Sequence, residues 1–275
     1  MTTTLELLKY LKELHLPTIK GCFQQEADNA RRASLSYEKY LHQVVEREIE
    51  DRRQRRKERL LKESHLPLEK TLQSFDRARL PQKVNTQYSV LLEGGFVSRR
   101  ENVLAFGNPG SGKTHLLCAL SYELVCQGQR VLFTTATLLV QELLRAKQEF
   151  RLPRALKRFT KYDAVLLDDL GYVQHTREEM EVLFTFLAER YERGSVMLTS
   201  NLPFSKWETI FKDPMTTAAA IDRLVHHSII VELNLPSYRL EQSKKRTQVN
   251  GTAKERKKPN QQKKPDQEQK QEPEA

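Results

Sequence analysis

A glycine-rich run that contains a single lysine has the clearest chemistry in this sequence. Residues 107–114 read GNPGSGKT and match the pattern GxxxxGK(S/T), directly after an apolar run and directly before a helical pattern. In such a loop the backbone N–H groups surround phosphate oxygens, the lysine reaches the β and γ phosphates, and the last hydroxyl binds Mg²⁺. The run therefore predicts a site for ATP and Mg²⁺ formed by Gly107, Asn108, Pro109, Gly110, Ser111, Gly112, Lys113 and Thr114.

Two consecutive acids follow the apolar run Ala164–Leu167, about 50 residues after the glycine-rich run. Phosphoryl transfer uses one acid to hold the shell of the metal ion and a second to orient and activate the attacking water. We therefore predict that Asp168 and Thr114 are the Mg²⁺ ligands and that Asp169 activates the water. Acids after an apolar strand are common in loops, and the distance from the glycine-rich run favours the catalytic interpretation.

An asparagine and an arginine farther along the chain complete the candidate catalytic set. Asn201 ends the run Leu198-Thr-Ser-Asn201, at the carboxyl end of a predicted strand, where ligands bind in open α/β sheets. It would hold the attacking water or the γ phosphate, and its alternative role is that of a turn or cap residue. Arg223 is a candidate for an arginine supplied to a neighbouring subunit, and pairing with Asp222 or capping its own helix is the alternative.

Short apolar runs must position these residues. Five of them alternate with helical patterns at intervals of about 30 residues, and near-continuous hydrophobicity is typical of parallel strands covered on both faces. The pattern predicts an α/β fold with a parallel five-stranded sheet flanked by helices. Thr176–Glu179 and Ser205–Glu208 both fit capping boxes at helix starts. The five runs are Val103–Phe106, Val131–Phe133, Ala164–Leu167, Val196–Leu198 and Ile229–Leu233.

The chain on either side of this core has a different composition. Residues 1–67 carry apolar side chains at helical spacing and predict a small all-helical N-terminal domain, followed by a nucleotide-binding core over residues 68–240. Residues 241–275 are too rich in Lys, Gln, Glu and Pro to fold, so we expect a disordered basic tail. A basic run in the N-terminal domain is either a solvated helix face or a DNA contact, and consists of Arg52, Arg53, Arg55, Arg56, Lys57 and Arg59.

The overall charge favours a polyanionic partner. The 275 residues include 46 Lys and Arg against 36 Asp and Glu, for a net charge of +10. Three cysteines without CxxC spacing support neither a disulfide framework nor a zinc site, and His226 and His227 lack a third metal ligand nearby in the sequence. Neither a signal peptide nor a membrane span is recognisable, so we expect a soluble, cytoplasmic protein.

Long segments of the core resemble one known family. The glycine-rich run, residues 166–172, residues 189–213 and residues 218–228 closely resemble the IstB helper ATPases of insertion sequences, which are AAA+ proteins akin to the DnaC helicase loader. The resemblance implies an AAA+ P-loop fold and an oligomer that binds DNA in an ATP-dependent manner and cooperates with a transposase in selecting target DNA. It is strong over about residues 69–240 and weaker over the N-terminal helices.

The resemblance also implies residue roles. The glycine-rich run corresponds to Walker A, Asp168 and Asp169 to Walker B, Asn201 to sensor 1, and Arg223 to the arginine finger. Asp169 stands where many AAA+ proteins have Glu, which leaves water activation possible with a shorter side chain. Little foldable sequence follows the last apolar run, so the usual C-terminal helical lid is expected to be absent, with Arg239 as a partial substitute for its arginine.

Two activities fit these motifs. The first is a transposition helper, a homo-oligomer that assembles on ATP and duplex DNA and hydrolyses ATP to release or remodel the complex. The alternative is a DnaC-like replicative helicase loader, whose N-terminal helices would dock on a helicase and whose ATPase would favour single strands. A metabolic P-loop kinase would need a substrate lid and an acceptor site, and the sequence offers neither.

Overall fold

The structure is a computed structural model of the chain, and it describes residues 2–171, 176–211, 214–238 and 240–241. The expected role of Arg239 and the expected disorder of the tail concern residues outside this description, apart from Glu241. The expected absence of a C-terminal lid also concerns residues outside this description. Within the described part of the chain, no helix is both long enough and apolar enough to cross a membrane.

Five parallel strands form the centre of the structure and confirm the strand predictions. They lie in the order β2-β3-β4-β1-β5. Because all neighbours pair in parallel, their carboxyl ends meet at one edge of the sheet. The strands are β1 (Asn102–Gly107), β2 (Val131–Thr135), β3 (Ala164–Leu170), β4 (Ser195–Ser200) and β5 (Ser228–Leu233).

Helices cover both faces of this sheet. Two groups of buried apolar side chains lie between sheet and helices, one on each face, as the near-continuous hydrophobicity of the strands requires. The helices of the core are α4 (Gln82–Leu92), α5 (Gly95–Ser98), α6 (Lys113–Cys126), α7 (Ala136–Gln148), α8 (Leu152–Phe159), α9 (Arg177–Arg190), α10 (Glu208–Phe211) and α11 (Pro214–Val225). The first strand and the helix that follows it leave the glycine-rich loop at the edge where the carboxyl ends meet.

Three helices precede the core, α1 (Thr2–Glu13), α2 (Pro17–Arg32) and α3 (Tyr37–Ser64). The buried carboxylate of Glu48 on α3 accepts hydrogen bonds from the backbone amides of Thr18 and Ile19, which lie in the first turn of α2. Because the first-turn amides of a helix have no partner within it, this contact caps α2 and fixes it against α3.

The end of α3 belongs to the core rather than to a separate unit. Leu60 and Leu66 are 3% and 7% exposed and lie in the same apolar group as Val103, Leu116 and Val131. The predicted boundary after residue 67 therefore falls within a continuous packing unit. A domain boundary before Leu60 would keep Leu60 and Leu66 in one unit with the core side chains that they are packed among.

Candidate active site

The glycine-rich loop joins β1 to α6 and has a backbone that only glycine adopts easily. Gly107 and Gly110 have φ angles of 148° and 79°. A Cβ atom on Gly107 would lie 2.2 Å from the carbonyl oxygen of Leu233, and one on Gly110 would lie 2.2 Å from Ser237 Oγ. Both glycines are therefore required by conformation and by close packing. The segment after β5 thus lies directly against the loop.

Lys113 brings the loop together with the end of β4. Its ammonium group donates hydrogen bonds to the carbonyl oxygens of Gly107 and Asn108, each at 2.9 Å, and to Asn201 Oδ1 at 2.5 Å. The side chain is buried, so its charge lies in a low-dielectric environment at the bottom of the loop. Residues that the sequence placed 88 positions apart are therefore in direct contact.

Asp168 is in contact with the other predicted metal ligand. Its Oδ1 atom accepts hydrogen bonds from Thr114 Oγ1 at 2.8 Å and from Thr199 Oγ1 at 2.6 Å, and the residue is buried. One carboxylate oxygen and one hydroxyl oxygen thus lie side by side at the carboxyl end of β3, and hard cations such as Mg²⁺ prefer oxygen ligands of this kind. Thr199 belongs to the run Leu198–Asn201, and the sequence predicts no role for it.

Asp169 follows Asp168 at the end of β3, is exposed, and lines the cavity beside the glycine-rich loop. It has a φ angle of 59°, and the pairing of β3 with β4 shifts register between Leu167 and Leu170. Its backbone amide donates a hydrogen bond to Thr199 Oγ1 at 2.9 Å. Because a left-handed conformation is uncommon for a residue other than glycine, the bulge stores local strain and turns an exposed carboxylate toward the cavity beside the glycine-rich loop.

This cavity has a volume of about 520 Å³. One wall consists of the predicted residues, from Pro109 to Thr114 together with Asp168, Asp169 and Asn201. The opposite wall is partly apolar and contains Phe75, Leu80, Leu235 and Tyr238. Sequence reasoning missed the second wall, since its members come from irregular segments before α4 and after β5. A wall of this composition can accept a flat nucleobase.

Arg79 holds the two segments of the second wall together. Its guanidinium group donates hydrogen bonds to the carbonyl oxygen of Pro236 and to the carboxylate of Glu241, and lies 5.0 Å from the ring centroid of Tyr238. The backbone amide of Tyr238 donates to the carbonyl oxygen of Gly110 at 3.0 Å. The segment after β5 is thereby connected to the glycine-rich loop and to the chain before α4.

The residues of the first wall fit a bound nucleotide with its metal ion. The buried Oγ atom of Ser111 has no hydrogen-bond partner among the described residues, and Ser111 is one of the loop residues that line the cavity. A buried hydroxyl without a partner is costly, and a phosphate oxygen would satisfy it. Thr114 and Asp168 could hold the metal ion, and Lys113 could contact the terminal phosphates.

Arg223 lies outside this cavity within its own chain. The Cζ atom of its guanidinium group is 4.4 Å from the ring centroid of Phe184 on α9, and its buried Nη1 atom has no hydrogen-bond partner among the described residues. The alternative predicted from the sequence is pairing with Asp222 or capping of its own helix, whereas the contact observed is with the aromatic ring. The structure does not bring Arg223 together with Lys113, Asp168 and Asn201.

Several members of the basic run on α3 are engaged within the chain. Arg52 bonds to Glu48 and to the carbonyl oxygen of His15, and Arg55 bonds to Thr18. Arg56 donates to the carbonyl oxygen of Gly128, and Lys57 lies over the ring of Tyr122. Among the described side chains, no hydrogen bond or ion pair involves Arg53 or Arg59, which are both exposed.

A second basic surface, which sequence reasoning missed, lies where α7 meets α8. Phe150 at the turn between the two helices is 96% exposed, with a φ angle of 55°. A groove of about 370 Å³ beside it is lined by four arginines and two glutamates, namely Arg145, Arg151, Arg154, Arg158, Glu142 and Glu149. We call these residues the α7–α8 groove.

The chain matches a known protein family over most of its length. The family model of the IstB-like ATP binding protein matches residues 9–246. A putative insertion sequence ATP-binding protein of Sinorhizobium fredii is 44% identical over 230 residues, which cover 83% of this chain and 77% of that protein. The IS21 putative ATP-binding protein of Pseudomonas aeruginosa is 37% identical over 240 residues, which cover 87% of this chain and 91% of that protein.

Solved structures support the same fold. The crystal structure of DnaI matches with a TM-score of 0.52 and 22% identity over 62% of this chain and 96% of that one. The AMPPCP-bound DnaA of Aquifex aeolicus matches with a TM-score of 0.52 and 21% identity over 68% of this chain and 57% of that one. These likenesses show that the fold is that of an AAA+ P-loop protein. Together with the match over most of the chain, they show that the protein belongs to the family of IstB-like ATP-binding proteins of insertion sequences.

Proposed function

We propose that the protein is an ATP-dependent DNA-binding ATPase that assists a transposase in selecting target DNA. The observation that carries the ATPase part is the meeting of Lys113, Asp168, Asp169 and Asn201 at one edge of the sheet, beside a cavity of about 520 Å³. The insertion-sequence relatives support the transposition part, and the net charge of +10 supports a DNA partner.

In this proposal the glycine-rich loop binds the phosphates of ATP. The amides of the loop and the first turn of α6 donate to phosphate oxygens, and the N-terminal end of the helix dipole adds to the attraction. Lys113 exchanges its carbonyl partners for the β and γ phosphate oxygens. Thr114 and Asp168 would hold Mg²⁺, which would supply charge neutralisation at the phosphates.

Asp169 and Asn201 act on the attacking water. The exposed carboxylate of Asp169 accepts a hydrogen bond from the water and takes up its proton as the water oxygen bonds to the γ phosphorus. The bond from this phosphorus to the β–γ bridging oxygen breaks in the same step, and ADP leaves. Asn201, which lies 2.5 Å from the Lys113 ammonium group through its Oδ1 atom, orients the water or the γ phosphate from the side of β4. Thr199 keeps the two acids in place, since it contacts both.

Arg223 completes the site of a neighbouring subunit. In its own chain its guanidinium group lies over the Phe184 ring, and its buried Nη1 atom has no hydrogen-bond partner within the described part of the chain. An arginine that reaches a γ phosphate across an interface stabilises the charge of the transition state. The homo-oligomer would therefore hydrolyse ATP only where an intact cavity meets an intact Arg223.

Duplex DNA would bind to exposed basic side chains through its phosphates. Arg53 and Arg59 on α3 and Arg154 in the α7–α8 groove are the candidates, because other arginines of the α3 run and of the groove are bonded within the chain. Contacts to phosphates position a protein on DNA without specifying a sequence. We therefore expect binding that depends strongly on salt and weakly on sequence.

Two binding experiments test the partners in this proposal. Retention of the protein on a duplex should increase with a non-hydrolysable ATP analogue and exceed retention on a single strand of the same length. A tagged protein should capture the transposase encoded beside it in the same insertion sequence. Preference for single strands together with capture of a hexameric helicase would instead identify a helicase loader.

A further inference from the structure

Three metal-binding side chains converge at the edge of the sheet opposite the nucleotide cavity. Glu192 lies in the turn between α9 and β4, and His226 and His227 lie in the turn between α11 and β5. Each residue offers one ligand atom, these atoms all lie within 4.8 Å of one another, and all three residues are exposed. We propose that Glu192, His226 and His227 form a binding site for Zn²⁺.

The donor set is one that Zn²⁺ prefers. Two imidazole nitrogens and one carboxylate oxygen bind this ion in many proteins, and they leave a fourth position for water or another ligand. Bond lengths of about 2.0–2.1 Å place tetrahedral ligand atoms roughly 3.3 Å apart. Because the three side chains are exposed, small rotations of their torsion angles suffice to close the present separations.

A neighbouring hydroxyl orients one of the imidazoles. The hydroxyl oxygen of Tyr191 lies 2.8 Å from His226 Nδ1. If Nδ1 carries the proton and donates it to this oxygen, Nε2 keeps its lone pair for the metal ion. A hydrogen bond to the second ring nitrogen is the usual arrangement of a metal-ligating histidine. The contact therefore holds the direction of the ring.

The backbone of both turns is held in place from β1 and from the chain before it. The amide of Asn102 donates to the carbonyl oxygen of His227 at 2.7 Å, and the guanidinium group of Arg100 donates to the carbonyl oxygen of Glu192 at 2.6 Å. Glu192 itself has a φ angle of 57°. A non-glycine residue keeps this conformation only where its surroundings impose it. The site is therefore built on a fixed backbone.

The fold brings Glu192, the third ligand of the proposed site, close to the two histidines. The sequence alone favours ordinary polar or interface residues at His226 and His227, because no third ligand stands near them in the chain. Glu192 precedes β4 whereas the histidines precede β5, and parallel strands bring these two turns to the same edge. A bound ion would connect the end of α9 to the end of α11, so it should also stabilise their packing.

Zinc titration of the full chain without nucleotide tests the site independently of ATP hydrolysis. The background is Cys126→Ser, which removes an exposed thiol that would compete for the ion. We expect one Zn²⁺ per chain in competition with a chromophoric chelator, and a higher melting temperature with Zn²⁺ present. His226→Ala, His227→Ala and Glu192→Gln should each weaken binding at least tenfold and abolish the thermal shift. These side chains are exposed, so the variants should fold, which circular dichroism checks.

His42→Ala is the matched control, because His42 is also exposed and lies 3.7 Å from the carboxylate of Glu46. It should bind Zn²⁺ as the background does. Tyr191→Phe should weaken binding less than loss of a ligand and more than the control. The proposal is overturned if His226→Ala and His227→Ala bind Zn²⁺ as tightly as the background, or if the background binds no equivalent of the ion.

Discussion

The hydroxyl of Thr199 donates to Asp168 Oδ1 at 2.6 Å and accepts from the backbone amide of Asp169 at 2.9 Å. One buried side chain on β4 therefore contacts both acids at the end of β3. The first contact orients a carboxylate beside Thr114, and the second supports the left-handed backbone at Asp169. Thr199 is thus a positioning residue in the proposed mechanism.

Replacing this hydroxyl should slow hydrolysis more than it weakens ATP binding. Thr199→Val keeps the shape of the side chain but leaves the Asp169 amide without its acceptor and removes a donor to Asp168. We expect kcat to fall by about 10–100-fold, equivalent to about 1.4–2.7 kcal/mol, with little change in KM. Thr199→Ser restores the hydroxyl and should recover most of the rate. A Ser variant as slow as the Val variant would show that only packing matters at this position.

Much of this site follows from short, contiguous stretches of sequence. The loop GNPGSGKT and the acids after Ala164–Leu167 lie where they were predicted, because a strand end and a helix start are local features. The wall that contains Phe75 and Tyr238 was missed. Its residues lie in irregular segments, and only tertiary packing brings them against the loop.

The two predicted capping boxes show that a local sequence pattern does not always determine the local structure. Thr176 and Glu179 form one at the start of α9, with reciprocal side-chain to backbone hydrogen bonds. The prediction of a second at Ser205 was wrong, since Ser205 lies inside a short 3₁₀ helix. Trp207 follows it, fully buried, with its indole N–H donating to the carbonyl oxygen of Leu202. Burial of one large side chain outweighs the local preference for a cap.

The role of Arg223 can be tested by mixing two inactive proteins. Arg223→Ala should bind ATP nearly normally and hydrolyse it more slowly, by a factor of up to about 10³, because the arginine acts on the transition state of a neighbour. Asp169→Asn keeps its arginine, so some interfaces in a mixture pair an intact cavity with an intact finger. Steady-state hydrolysis of the mixture should exceed that of either protein alone. If the mixture assembles and stays inactive, Arg223 acts only within its own chain.

The salt dependence of DNA binding tests whether the exposed arginines Arg53 and Arg59 contact DNA phosphates. Removing two phosphate contacts through Arg53→Gln and Arg59→Gln should make the negative slope of log K against log salt shallower by about 1.8, at about 0.9 per contact. Thermal stability should not change, since neither side chain has a partner among the described residues. Arg31→Gln with Arg32→Gln removes the same charge from α2 and should leave the slope nearly unchanged. Equal slopes in both double variants would show that α3 does not contact DNA.

The cap on α2 should make the N-terminal helices sensitive to acid. Burial raises the pKa of Glu48, but hydrogen bonds from Arg52, Ile19 and Thr18 outweigh it, and the net pKa lies below its ordinary value. A lowered pKa contributes stability that is present above the unfolded pKa and is lost as the pH falls through the folded pKa. Glu48→Gln should therefore lower the free energy of unfolding at pH 7 and have progressively less effect as the pH falls below about 4.5.

The matched control for this measurement is Glu50→Gln, an exposed glutamate on the same helix. Its free energy of unfolding should follow that of the unaltered protein at every pH. Chemical denaturation followed by circular dichroism over pH 3–7 compares the three proteins. An effect of Glu48→Gln that is independent of pH would mean that the carboxylate charge contributes nothing to the cap.

The most direct test of the central claim compares Lys113→Ala and Asp169→Asn for ATP binding and ATP hydrolysis on duplex DNA. Lys113→Ala removes the charge at the β and γ phosphates and should lose both affinity for ATP and retention on DNA. Asp169→Asn keeps the loop and the predicted metal ligands, so it should bind ATP, remain on DNA with ATP present, and lose turnover. Normal hydrolysis by Asp169→Asn, or ATP-dependent DNA retention by Lys113→Ala, would contradict the assignment of this sheet edge as the ATPase site.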